Sequence, residues 1–94
     1  MKRVGTFTPH NLRQFRKLMG YQQKEIAFLL GLKGAGRISE WENGFSKPSM
    51  DNLMQLAIIY RTLPDELYYD LRQEFIKDFT EREKILRAKR DLGG

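Results

Sequence analysis

Few side chains able to carry covalent or acid–base chemistry are present. The chain has one histidine, His10, and no cysteine, which excludes thiolate metal sites and leaves His10 without partners for a metal. No His-Glu-x-x-His spacing occurs, and Gly31-x-x-Gly34-x-Gly36 follows a helical run and lacks the lysine of a phosphate cradle. Catalysis, a cofactor and a metal are therefore not expected, and His10 reads as a surface residue near a helix start. What the chain does hold is unevenly placed positive charge. Residues 1–60 carry nine Lys/Arg against four Asp/Glu, whereas residues 61–94 carry eight of each, so the whole net charge of +5 lies in the first part. Cations gathered on one segment suit a polyanion, because phosphate attraction needs them on one side; an ordinary solvated basic face is the alternative.

The elements that must position these cations are helices. Thr8-Pro9 can open a first helix over about 9–19, the hydroxyl capping free amides and the proline losing no hydrogen bond. Leu12, Phe15, Leu18 and Met19 recur along it at helical spacing until Gly20. A second helix, about 22–30, sets Ile26, Leu29 and Leu30 on one face and stops at Gly31. The glycine-rich 32–36 forms a turn. A third helix, about 36–43, turns Ile38, Trp41 and Glu42 inward and ends at Asn43-Gly44. Ser49 caps a fourth, about 50–60, with Leu53, Leu56, Ala57 and Tyr60 buried. Met19, Met50 and Met54 are expected to fill the core.

Pro64-Asp65-Glu66 starts a fifth helix, its acids at the favourable end of the helix dipole. From there the chain is one helix over about 65–90 or two pieces broken near Asp78–Thr80, and the absence of proline or glycine favours the first. The expected class is all-α: a five-helix domain over 8–70 and an amphipathic helical extension over 71–92. Ninety-four residues suffice for one modest core. No run approaches the roughly 20 apolar residues of a membrane span, and the first residues lack the apolar run of a signal peptide. The expected location is the cytoplasm.

From Leu12 to about Leu67 the residues resemble the Xre family, the phage repressor and Cro class of helix-turn-helix proteins. The resemblance rests on Gln23-x-x-Ile26-Ala27-x-x-Leu30-Gly31, Ile38-Ser39-x-Trp41-Glu42-Asn43-Gly44, Lys47-Pro48-Ser49, Leu53-x-x-Leu56-Ala57 and Asp65-Glu66-Leu67 in that order. It implies a five-helix repressor-like fold that binds double-stranded DNA and regulates transcription as a repressor. A small residue such as Ala27 lets the third helix cross the second closely and present itself to the major groove. The resemblance also implies an ion pair between Arg16 and Glu42, and places Gln23 near a phosphate unless it is merely solvated.

One departure matters. Gly31 and Ile38 stand seven apart where the family has six, so the turn holds an extra residue, expected to be absorbed by Gly34 and Gly36. Where relatives carry base-reading side chains this chain has Ala35 and Gly36, which make no bidentate contact. Base reading then falls to Arg37, suited to guanine, and to Glu40, suited to a cytosine amino group if it is not simply solvated. The DNA-facing set is Gln22, Gln23, Lys33, Gly36, Arg37, Ser39, Glu40, Asn43 and Lys47, with Ser39, Asn43 and Lys47 on phosphates and Lys33 on a phosphate or a base.

The extension carries a stripe of Leu71, Phe75, Phe79 and Leu86, joined by Tyr68 and Ile85. The stripe folds back on the first and fifth helices or pairs with a second copy, and a homodimer is the reading preferred, since relatives read two half-sites by symmetry. Lys84, Arg87, Lys89 and Arg90 form a solvated face or add phosphate contacts. A competing function is a protein-interaction module, such as an antitoxin or a bridging factor, docking through this helix.

Overall fold

The computed structural model describes residues 10–93, all of them helical or connecting. Four α-helices come first: α1 (Leu12–Leu18), α2 (Gln23–Leu30), α3 (Gly36–Glu42) and α4 (Met50–Ile59). A 3-10 helix (Pro64–Tyr68) then runs directly into α5 (Tyr69–Gly93). The expected fifth helix and the extension are thus continuous, and the proposed break near Asp78–Thr80 is absent.

The first helix starts later than expected. Thr8 and Pro9 lie outside the described residues, but Asn11 is already committed elsewhere: its amide donates to the Leu67 carbonyl at 2.8 Å and its side chain to the Glu66 carbonyl at 3.2 Å. These bonds tie the start of α1 to the 3-10 helix, and His10 Nδ1 accepts the Leu12 amide at 3.2 Å in place of a hydroxyl cap. His10 is accordingly no surface residue. Its ring is half-buried and meets Tyr68 edge-on at 5.5 Å. Burial pulls the imidazole below its ordinary pKa, against the raising influence of Glu42 and the Trp41 carbonyl.

The ends of α1 to α4 share one device. Beyond each helix the next amides fold back on its last carbonyls, as where Leu32 donates to Ala27 and Gly31 to Phe28. The reversal needs a left-handed residue. Gly31 supplies it after α2 at φ +76°, whereas after α4 the position falls to Arg61 at φ +57°. Gly34 and Gly36 need no such freedom, since neither has a positive φ and a Cβ on either meets nothing within 4 Å. The extra residue of the turn is therefore accommodated by an ordinary bend over Lys33 and Gly34.

Leu12, Ile26, Ala27, Ile38, Trp41, Leu56, Ala57, Tyr60, Leu67 and Tyr68 form the core. Several expected core residues lie outside it. Leu18 is 80% exposed because it points away from the side of α1 that carries Leu12 and Arg16. Met50, in the opening turn of α4, and Met54, about 100° round from Leu53, are also exposed. Leu29 is half exposed, while Met19 and Leu30 pack at the core's edge.

No residue of α5 is buried. Its first turn leans on the 3-10 helix and the rest projects, giving the molecule a long axis of 57 Å. The stripe beyond Leu71 does not fold back onto α1. None of the described helices is long and apolar enough to cross a membrane.

Candidate nucleic-acid interface

The inner side of α3 is locked before its outer side can do anything. Ile38 and Trp41 enter the core, and Glu42, at the last position of the helix, is buried beside them. An isolated buried carboxylate is costly, so its partners decide whether the helix can sit there. Arg16 on α1 grips it with two prongs, Nε to Oε2 at 2.6 Å and Nη2 to Oε1 at 3.0 Å. Gln23 at the start of α2 donates Nε2 to Oε1 at 3.0 Å, and Arg13 on α1 adds Nε to Oε1 at 3.4 Å. Burial by itself would raise the Glu42 pKa. The hydrogen bonds from Arg16, Gln23 and Arg13 outweigh it and hold the carboxyl below its ordinary value.

Arg16 is completed by its Nη1, which donates to the Tyr21 carbonyl at 3.0 Å in the α1–α2 connection. Its bond to Glu42 raises its own pKa, and the same negative charge, after burial, raises that of the Tyr60 hydroxyl. One carboxylate thus joins α1, α2 and α3. Gln23 spends one of its two amide hydrogens on this lock.

The outer side of α3 is open. Gly36, Arg37, Glu40 and Asn43 are exposed and Ser39 is half-buried. Among the described residues neither Arg37 nor Lys33 enters an ion pair. Glu40 accepts from the Ser46 hydroxyl at a long 3.4 Å, so it is only loosely held. Asn43 is fixed from two sides: its Nδ2 donates to Ser39 Oγ at 3.1 Å and its Oδ1 accepts from Arg13 Nη2 at 2.9 Å. Gln22 is exposed at the start of α2, where its amide donates to Glu25 Oε1 at 2.8 Å. Lys33 stands in the turn. Lys47 is exposed in the loop after α3, where it lines a groove shared with α5.

Sequence reasoning missed Arg13 and Ser46. Arg13 bridges the lock to the open side by touching both Glu42 and Asn43. Its spacing of three from Arg16 puts both on one face of α1, and that was the available signal. Ser46 offered none, because its contact depends on how the chain reverses after Gly44.

This surface presents hydrogen-bond donors and acceptors side by side. A two-turn helix offers a guanidinium, a carboxylate, an amide and a hydroxyl outward, flanked by free cations and anchored by its inner side. Residues 12–67, more than half of the chain, match the helix-turn-helix family. Comparisons with curated proteins and with solved structures give no match.

Proposed function

Because the chain belongs to the Xre-type helix-turn-helix family of DNA-binding transcription regulators, we propose that it is a repressor that reads a specific duplex sequence with α3 in the major groove. The observation that carries this reading is the two-sided α3, with Ile38, Trp41 and Glu42 fixed inward while Arg37, Glu40 and Asn43 are exposed. Arg37 reads guanine and Glu40 a cytosine amino group. Gln22, Gln23, Lys33, Ser39, Asn43 and Lys47 hold phosphates, and Gly36 lets the DNA backbone come close. The protein acts as a homodimer on two half-sites, since a single module of this size makes few base contacts.

Selection from a pool of random duplexes at moderate salt tests the proposal. A palindromic consensus is the expected result, and no enrichment from folded protein would refute it. A second reading has its own support, the exposed Phe75 and Phe79 on α5, which suit a partner protein. Under that reading binding tracks these two side chains and is indifferent to Arg37.

A further inference from the structure

Phe75, Ile76 and Phe79 line one wall of an apolar groove of about 650 Å³, and Pro48, Leu53 and Pro64 line the other. The three α5 side chains are each about half exposed. Further along the same helix Ile85, Leu86 and Leu92 are exposed as well. The chain therefore carries an open apolar groove beside one half of α5 and a bare apolar tip on the other half. A continuous helix cannot turn its own tip back into that groove, so within one copy neither covers the other.

We propose that the groove of each copy takes the C-terminal half of α5 from a second copy, the two helices packing antiparallel about a twofold axis near their middle. This deepens the dimeric reading above and rests on it. Charge selects the direction. Residues 69–81 hold four acids and two bases, net −2, and residues 82–93 hold five bases and two acids, net +3. An antiparallel pair sets each negative half against a positive one, whereas a parallel pair sets like against like. The twofold makes the exchange reciprocal, so both grooves and both tips are covered and the assembly closes at two copies. Centring the tip on the groove puts Leu86 of one copy opposite Phe75 of the other, and the same antiparallel register sets Phe79 against Arg82 and Glu74 against Arg87. Arg82, whose guanidinium lies 5.7 Å from the Phe79 ring centroid, then falls next to the axis.

The chain has no cysteine, so single cysteines report this geometry directly. Under mild oxidation Arg82→Cys links to itself, Leu86→Cys alone does not, and a mixture of Phe75→Cys with Leu86→Cys gives the mixed product, because a disulfide needs Cα atoms within about 7 Å. Sedimentation velocity over a concentration series, with and without the selected duplex, gives a dimer. Leu86→Ser weakens it by about tenfold or more while circular dichroism shows the fold intact. Self-linking of Leu86→Cys overturns the antiparallel arrangement in favour of a parallel one and leaves the dimer standing. A monomer under both conditions, with duplex selection still successful, overturns the pairing and the dimer but leaves the DNA-reading assignment in place.

Discussion

Replacing Glu42 by glutamine keeps its shape and removes its charge, which isolates what the carboxylate does for the domain. In the native protein it lies buried against the two-pronged Arg16 at 2.6 and 3.0 Å. After the substitution Arg16 remains buried with an amide for a partner, and breaking a buried pair from one side costs about 3–5 kcal/mol. A chain of this size has about 5–14 kcal/mol of stability, so the variant is expected to keep its fold with a large part of its margin gone. In urea the midpoint should fall with the slope unchanged. Arg16→Met placed on top of Glu42→Gln removes the orphaned cation, so the double variant should be more stable than Glu42→Gln alone. The pH dependence has a fixed sign. The Glu42 pKa is lowered by folding, so its contribution is present above the unfolded carboxyl value of about 4.3 and is lost as pH falls through the folded value. The gap between wild type and Glu42→Gln should therefore close in acid. A loss below about 1 kcal/mol at neutral pH, the range of a surface pair, or a gap that does not narrow in acid, would refute the lock.

Three further outcomes follow from particular positions. Arg37→Ala should relax base preference at one position of each half-site at a cost of about 1–3 kcal/mol, while Lys47→Ala should weaken all duplexes alike and reduce the salt slope by about 1; binding isotherms on consensus and mutant sites at several salt concentrations separate the two. Gly36→Ala should raise Tm by an amount worth about 0.4–1 kcal/mol, as its φ is ordinary and a Cβ there meets nothing, yet lower duplex affinity by crowding the DNA backbone; Gly31→Ala, at φ +76°, should lower Tm. Arg61→Gly relieves the left-handed arginine after α4 and should stabilise the domain by up to about 1 kcal/mol in thermal unfolding, the reverse of the usual effect of glycine.

How much was legible in the sequence depended on whether the deciding contact was local. Helix order, the ends at Gly31 and Gly44 and the inward set Ile38, Trp41 and Glu42 follow from periodicity and turn residues, which act over a few positions. The membership of the core did not. Leu18, Met50 and Met54 satisfy an apolar pattern, yet the inner slot on α1 goes to Arg16, which periodicity does not place there and only the family resemblance tied to Glu42, 26 residues away. The start of α1 was misplaced for the same reason, because Asn11 is held by carbonyls 55 and 56 residues on. The turn at 32–36 was legible from its glycines, although the backbone at Gly34 and Gly36 does not use their left-handed freedom. Arg13 was passed over because its two contacts lie on α3, across the helix packing.

The reading helix is held unevenly, and that bears on affinity. Seven residues cannot sustain a helix alone, so α3 borrows rigidity from Ile38, Trp41 and the Glu42 lock. Ile38 alone anchors its first turn, and Trp41 and Glu42 lie at its C-terminal end. The other end has Ala35 at the cap with no side chain to accept an amide, and Gly34 and Gly36 on either side. Arg37, which we propose reads a base, stands on that uncapped turn, and ordering of the turn on binding DNA would lower affinity by its cost. Ala35→Ser supplies a cap only as residue 35 swings from φ −83° and ψ 2° to the extended backbone of a capping residue, so it should stabilise the first turn by about 0.5 kcal/mol, the low end of a capping serine. Amide exchange at Arg37 and Ile38 should slow relative to wild type, and the consensus duplex should bind more tightly, chiefly through slower dissociation. If the wild-type amides at Arg37 and Ile38 already exchange as slowly as those at Trp41 and Glu42, the first turn is not loose and the cap has nothing to add.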